Sequence, residues 1–151
     1  MLSAGLGTRI AAVAHDGGFD THEDQPKRYV TILRELDRAL VAWQADLDKR
    51  GLADRVLTLV WSEFGRRPED NDSNGTDHGA GGLVLLVGNR ANGGVRSEFP
   101  GLRKLDPREN LRVTTEFRAV SATLLEDRLG VEAGRVLPGR LPGKIPLVRG
   151  A

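Results

Sequence analysis

Two short segments pair a carboxylate with a histidine beside the glycines that tight turns use. HDGGFDTHED places Asp20 two residues before His22, and NDSNGTDHG places Asp77 directly before His78. Imidazole and carboxylate together form a ligand set that suits zinc, manganese or iron, whereas an all-oxygen set suits calcium or magnesium. We therefore expect a divalent metal, zinc or manganese, if the two segments meet. The alternative is that Asp20 and Asp77 only cap turns while the histidines face solvent.

A third polar segment, SEFGRR, contains Glu63 and Arg66. The planar guanidinium of Arg66 suits two-point recognition of an oxyanion, which makes it a candidate for binding an anionic substrate; a surface ion pair is the alternative. Ser62 is a weak candidate for a nucleophile because WSEFG lacks the G-x-S-x-G pattern. His15 is interpreted as a turn or edge residue.

Residues 70–75 match the first half of the EF-hand calcium pattern, D-x-[DN]-x-[DN]-G. The twelfth position of that loop requires an acidic residue, but here it is Gly81. An EF-hand also needs a helix on each side, and a predicted strand follows closely. A polar turn therefore explains residues 70–75 better, and Asp77 and His78 remain as the part able to do chemistry.

The elements expected to carry these segments follow the order of an α/β protein. Short apolar runs predict buried strands at 8–14, 55–61 and 83–88. A second helix is expected over about 115–129, with Thr114 or Thr115 as its N-cap. We therefore predict a partial, mostly parallel sheet with a long helix after the first strand and a second helix near the C-terminus. Ligands of such sheets bind beyond the carboxyl ends of the strands. Two polar segments follow the first and second predicted strands, and the segment with Asp77 and His78 can join them if the loop at 62–82 folds back over the sheet.

The long helix is predicted from Pro26 to near Gly51 because apolar residues recur there at alternating steps of four and three. These residues are Tyr29, Leu33, Leu36, Leu40, Trp43 and Leu47. Two helices are few for covering both faces of a sheet, which indicates that a partner subunit or another segment supplies the rest. We divide the chain into a domain at 8–131 and a Pro/Gly/basic tail at 132–151 that is expected to run along the surface.

Composition excludes several functional classes. The chain has 151 residues, a formal net charge of +1 and no cysteine. No large basic field indicates nucleic-acid binding, and disulfides and thiolate zinc sites are excluded. Neither an export signal nor an apolar run long enough for a membrane span is present, so the sequence as written predicts a cytoplasmic protein without a membrane partner.

Four stretches carry a family resemblance: GGFDTHEDQ (17–25), LDKRGLADRVLTLVWSEFGRRP (47–68), GTDHGAGGLVLLVG (75–88) and RVTTEFRAVSATLLEDRLG (112–130). Together they resemble the carboxyl-terminal half of domain-of-unknown-function family 1501, an arm of the alkaline phosphatase and sulfatase superfamily. The resemblance covers about residues 8–131. It implies an alkaline phosphatase-like half domain with a mostly parallel sheet and a two-metal site, where an alkoxide attacks phosphate or sulfate esters.

The resemblance also implies roles for individual residues. Asp20 and His22 resemble the Asp/His pair of one metal, and His78 resembles the late histidine of the first metal. Glu63 stands where many relatives have Asp-His, and Asp77 is a ligand or orients a histidine.

The nucleophile of the superfamily lies in an amino-terminal half that this chain does not contain. The expected function is therefore a truncated, metal-binding, hydrolase-like domain that is inactive alone and acts on an anionic ester if it acts at all. Its expected partners are the missing half or a second copy. The alternatives are a non-enzymatic assembly module and a gene fragment. Full-length relatives are often exported.

Overall fold

The computed structural model describes residues 4–150 and is built around one long helix. Helix α1 spans Gln25–Lys49, a length of 25 residues. Helix α2 spans Phe117–Thr123 and continues directly into a π-helical turn at Leu124–Arg128. Single 3-10 turns occur at Ala53–Arg55 and Ala133–Arg135. Neither α-helix in the described part of the chain is both long and apolar enough to cross a membrane.

Four short strands form two separate antiparallel pairs. Strand β1 (Thr58–Val60) pairs with β4 (Leu85–Val87), and β2 (Gly65–Asp70) pairs with β3 (Thr76–Gly79). The register of the β2–β3 pair shifts between Arg66 and Asp70. The second pair is a hairpin inserted between the two strands of the first pair.

The predicted mostly parallel sheet is wrong. Parallel neighbours need a crossover connection, usually a helix, whereas antiparallel neighbours need only a turn or hairpin between them. Residues 61–84 contain the β2–β3 hairpin and no helix. The chain therefore returns beside β1 in the opposite direction, and Thr58 lies opposite Val87.

The predicted first strand at 8–14 is also wrong, so no strand precedes the long helix within the part of the chain that the structure describes. These residues have no regular secondary structure, and Ile10 and Val13 are 71% and 91% exposed. A strand is stabilised by hydrogen bonds to neighbouring strands and by burial of its side chains. Within residues 4–150, the segment at 8–14 has neither a neighbouring strand nor buried apolar side chains.

Both helices were predicted close to their observed positions. The apolar stripe of α1 reaches β1 near its C-terminal end, where the indole nitrogen of Trp43 donates to the Thr58 hydroxyl at 2.9 Å. Leu47 is buried, but Leu33 is 48% exposed, so the stripe is only partly covered. The predicted N-cap of α2 is wrong: Glu116 occupies that position, and the Thr114 hydroxyl donates to the Glu98 carbonyl.

The core is small for a chain of this length. Seven apolar residues are buried, and five of them are alanines: Leu47, Ala53, Ala91, Ala119, Ala122, Ala133 and Leu147. The accessible surface is 10866 Å². A compact monomer of this mass exposes about 7,500 Å². Much apolar surface that folding normally buries therefore remains in contact with solvent.

The basic tail is attached to the rest of the chain at several points. The backbone nitrogen of Ile145 donates to the buried Thr123 hydroxyl. Val148 forms an antiparallel bridge with Ala91, and Leu147 is buried beside it. Ala133 is fully buried. The tail therefore follows the surface along a defined path.

Candidate metal centre

Three side chains from two distant segments converge on the surface: Asp20, His22 and His78. The Oδ1 atom of Asp20 lies 2.8 Å from Nε2 of His78 and 3.1 Å from Nε2 of His22. The two Nε2 atoms are 3.2 Å apart. These donor atoms form a nearly equilateral triangle, which we call the Asp/His/His triad. The two Asp/His segments of the sequence therefore meet at one point.

The triad has the dimensions of a set of metal ligands. Metal–ligand distances of about 2.0–2.2 Å place neighbouring ligand atoms about 3 Å apart in octahedral geometry and about 3.4 Å apart in tetrahedral geometry. The observed separations of 2.8 to 3.2 Å are close to both values. Two imidazoles and a carboxylate suit zinc, manganese or iron. The side chains of the triad are about half exposed, so further coordination positions would be accessible from solvent.

Contacts within the triad keep the Asp20 carboxyl ionised. The hydrogen bond with His78 is the largest effect on the Asp20 carboxyl and lowers its pKa below the usual 3.8, and the charges of His78, His22 and Arg66 act in the same direction. Three atoms with lone pairs at this spacing repel one another unless a proton or a cation lies between them. A divalent cation is therefore compatible with the donors present.

Alternating side-chain directions explain how Asp20 and His22 reach the same site. Thr21 between them is fully buried, and its hydroxyl accepts a hydrogen bond from the Gln25 side chain at 3.1 Å. The Gln25 side chain in turn accepts one from the Thr76 hydroxyl, which lies in β3. Asp20 and His22 on either side of Thr21 are exposed. Thr21 therefore fixes this turn from the inside, and Gln25 connects it to the strand that carries His78.

The turn between β2 and β3 attaches the hairpin to the segment that contains His22. The Asn71 side chain accepts hydrogen bonds from the backbone nitrogens of Ser73 and Gly75, both at 3.0 Å. Its amide donates to the His22 carbonyl at 2.9 Å. A Cβ atom at Gly75 would lie 2.3 Å from the carbonyl carbon and oxygen of His22. Residues 70–75 are thus a polar turn in a hairpin, and the EF-hand alternative is excluded.

Asp77 contacts the side of His22 that faces away from the triad. Its Oδ1 atom lies 3.2 Å from Nδ1 of His22 and accepts a hydrogen bond from Asn71 at 3.2 Å. The Asn71 hydrogen bond, followed by that of His22, lowers the pKa of the Asp77 carboxyl. A carboxylate on Nδ1 fixes the tautomer that leaves Nε2 free to bind a metal. Of the two roles considered for Asp77, this geometry favours orienting His22 over binding the ion.

Phe64 packs flat against His78. The two rings are stacked with centroids 3.9 Å apart and planes inclined by 12°. The guanidinium of Arg66 lies 4.9 Å from the centre of the Phe64 ring, and Arg66 is the β2 residue opposite His78. Such contacts restrict the rotation of an imidazole and keep water from one of its faces.

The guanidinium of Arg66 is occupied by backbone carbonyls. It donates to Thr76 at 2.6 Å and to Phe19 at 2.8 Å, and one nitrogen lies 3.4 Å from Asp20. Its Nε atom is buried and has no hydrogen-bond partner among the described residues. Arg66 therefore holds the chain on both sides of the triad together and adds positive charge near Asp20. Substrate binding by Arg66 stays a prediction.

Other residues singled out in the sequence lie outside the triad. Glu63 is exposed and is not among the three converging residues. The Ser62 hydroxyl donates to the Phe64 carbonyl at 2.7 Å, so it is engaged in its own turn. The His15 ring packs edge-on against Phe19 with centroids 5.8 Å apart. A metal-binding role for Glu63 stays a prediction.

Four supporting residues were not predicted: Thr21, Gln25, Phe64 and Asn71. No burial signal for Thr21 exists in the sequence, because threonine is mostly exposed in folded proteins. Asn71 begins a turn-prone segment, but only the folded hairpin shows which backbone groups its side chain reaches.

A comparison with family models gives a match over residues 2–127 to the family described as "Protein of unknown function (DUF1501)". No curated protein and no solved structure matches the chain.

Proposed function

The chain belongs to the DUF1501 family, and from this membership and the geometry of the triad we propose that it is a hydrolase-like domain that binds a divalent metal. The site comprises Asp20, His22 and His78 as ligands, with Asp77 orienting His22. Zinc and manganese are the preferred candidates because two imidazoles and a carboxylate form the donor set.

The observation that carries this proposal is the spacing of the three donor atoms, between 2.8 and 3.2 Å. Asp20 and His78 are 58 residues apart in the chain, so no local turn preference brings them together. Two partly buried hydrogen bonds connect the converging segments: Gln25 donates to the Thr21 hydroxyl, and the Thr76 hydroxyl donates to Gln25. Polar residues that only face solvent do not require hydrogen bonds that connect the two segments on which they lie.

The substrate class we propose is an ester of phosphate or sulfate. A bound divalent ion would supply Lewis-acid polarisation of an ester oxygen. The residues of the chain contribute orientation: Asp77 holds the His22 ring, and Phe64 stacks against His78. Asp20 would balance part of the charge of the ion. The exposed side of the triad would admit an anionic group.

We propose metal binding for this chain, and not turnover by the chain alone. The hydroxyl nearest in sequence to the ligands belongs to Thr21, which is fully buried and hydrogen-bonded to Gln25. The Ser62 hydroxyl is hydrogen-bonded to the Phe64 carbonyl. Neither is presented to a substrate above the triad. A nucleophile for ester cleavage would therefore come from another polypeptide segment or from water.

The test is isothermal titration of Zn²⁺ and Mn²⁺ into chelator-stripped protein. We expect one binding event in the wild type, and its loss in His22→Ala and in His78→Ala. His15→Ala is the matched control, because it removes an imidazole that lies outside the triad. Equal binding by the wild type and both triad variants would refute the proposal.

An assembly module is the second candidate function. The specific observation is the apolar surface left exposed along the segment before the triad, at Leu6, Ile10 and Val13, together with an accessible surface well above that of a compact monomer. Large exposed apolar patches mark interaction sites in soluble proteins. A second copy of the chain is the partner that we would test first.

Light scattering of the purified chain tests this second candidate. We expect an oligomer that dissociates in the double variant Ile10→Glu/Val13→Glu. Leu102→Glu is the control, since Leu102 is also exposed but lies in a different loop. A stable wild-type monomer that binds no apolar dye would argue against assembly.

A further inference from the structure

A second polar site lies between the end of β4, the helical turn after α2 and the basic tail. It is a cavity of about 150 Å³. This volume equals about five water molecules at about 30 Å³ each, which is room for a small oxyanion with some of its hydration. The charged residues that line it are Asp54, Arg90, Asp127, Arg128 and Arg149. We call it the arginine pocket.

Backbone pairing holds two of the arginines at adjacent positions. The backbone nitrogen of Arg149 donates to the Arg90 carbonyl at 2.8 Å, and the next residues, Ala91 and Val148, form an antiparallel bridge. Asn92 extends the pairing with a hydrogen bond of 2.7 Å from its backbone nitrogen to Leu147. The positions of Arg90 and Arg149 are therefore determined by backbone structure. Both residues line the pocket.

The two carboxylates in the pocket face other donors. Asp54 accepts a hydrogen bond from the Asn89 side chain at 3.1 Å. Asp127 pairs with Lys144 at 2.6 Å. Neither therefore lies within ion-pair distance of a pocket arginine, although both reduce the net positive charge there.

The arginines of the pocket have no carboxylate partner among residues 4–150. None of the ion pairs in this part of the chain includes Arg90, Arg128 or Arg149. Arg128 donates to the Arg55 carbonyl through one nitrogen. The other N–H groups of its guanidinium are not used in that hydrogen bond. Each guanidinium offers five N–H groups in a planar arrangement that matches the oxygens of phosphate or sulfate.

We propose that the arginine pocket binds a tetrahedral oxyanion, phosphate or sulfate, through the arginines that line it. Arg128 adds a third cation at the wall of the pocket. The site is distinct from the triad, since none of the residues that line the pocket belongs to the triad. The basic tail thus contributes Arg149 to an anion site whose other arginines, Arg90 and Arg128, precede the tail.

The test is a titration of inorganic phosphate, and separately of sulfate, into chelator-stripped protein carrying His22→Ala. That background keeps any anion from binding through a metal at the triad. Ionic strength is held constant with chloride, and binding is followed by NMR. We expect saturable shifts at the backbone amides of residues 90–92 and 147–150. We expect affinity to fall about tenfold or more in Arg90→Gln/Arg149→Gln, because hydrogen bonds between charged groups are lost.

The matched control is Arg103→Gln/Arg108→Gln, which changes the net charge equally at two other exposed arginines. It should bind phosphate as the parent protein does. Arg90→Lys, which keeps the charge but not the planar fork, tests the pocket if the double variant fails to fold, and should weaken binding measurably. The proposal is overturned if no saturable binding occurs at millimolar phosphate or sulfate, or if the control pair loses as much affinity as the pocket pair.

Discussion

The Nε2 atoms of His22 and His78 lie 3.2 Å apart, although 56 residues separate them in the chain. The opposite nitrogen of His22 contacts Asp77, the residue directly before His78. The second Asp/His segment therefore contributes twice to one histidine of the first segment: once as a neighbour in the triad and once as the carboxylate that sets its tautomer. These two contacts to His22 are the main reason to regard the two segments as one site.

Divalent metal should stabilise the folded chain. If the triad binds Zn²⁺ or Mn²⁺ only in the native state, a hundredfold excess over Kd raises the free energy of unfolding by about 2.7 kcal/mol. For a chain of this length that corresponds to an increase in Tm of roughly 5–10 °C. The measurement is thermal unfolding followed by circular dichroism. His15→Ala should keep the full increase and His78→Ala should lose it; an undiminished increase in His78→Ala would contradict the assignment.

Asp77→Asn separates an orienting role from a ligand role. An asparagine can keep the hydrogen bond with Asn71 in a rearranged form, but it does not supply the negative charge that fixes the Nδ1–H tautomer of His22. Metal affinity should fall by about 10- to 100-fold without being abolished. Competition with a chelating dye measures this change. Asp72→Asn in the same turn is the control, and an unchanged affinity in Asp77→Asn would remove Asp77 from the site.

Lowering the pH should destabilise the folded chain, partly because the Asp106 carboxylate becomes protonated. Its carboxylate accepts hydrogen bonds of 2.8 Å from the backbone nitrogens of Arg108 and Asn110, and the Asn110 hydrogen bond is the largest cause of its lowered pKa. A folded-state pKa below the usual 3.8 means that this stabilisation is fully present above pH 3.8 and is lost as the pH falls through the folded-state value.

The measurement for Asp106 is the midpoint of urea unfolding at about pH 6 and about pH 3. Asp106→Asn should be less stable than wild type at the higher pH and should lose less stability on acidification. Asp48→Asn, a substitution of an exposed acid in α1, should show the wild-type dependence. The explanation fails if Asp106→Asn responds to acid as strongly as wild type.

The sequence was sufficient to predict the helices but not the direction of the strands. Helix α1 is predictable because Pro26 suits the first turn and apolar residues recur with helical spacing up to Leu47. An apolar run such as Thr58–Val60 can pair in either direction, because period and composition do not encode the neighbour. The hairpin at 65–79 returns the chain to β1 in the antiparallel direction. The sequence of this hairpin is polar, as its strand GRRPED shows, and lacks the apolar pattern that predicts a strand.

The triad was more predictable than the contacts that support it. Imidazole and carboxylate in two turn-rich segments made Asp20, His22, Asp77 and His78 candidates, and the structure brings three of these side chains together. Asn71 could not be found in the same way, since its role depends on the backbone of the turn, where Asn74 adopts a left-handed conformation with φ of 62°. Long-range contacts of this kind depend on the whole fold and not on any local pattern.

Gly75→Ala should disrupt the triad without altering any of its ligands. A Cβ atom at position 75 would lie 2.3 Å from the carbonyl carbon and oxygen of His22, a backbone contact that cannot be relieved by rotating a side chain. The turn must therefore move away from His22, which we expect to cost about 1–3 kcal/mol of stability and to weaken metal binding. Urea unfolding and zinc titration measure the two effects. Gly134→Ala is the control because a Cβ atom there would meet nothing within 4 Å; equal stability and zinc affinity in the two variants would show that the turn does not position His22.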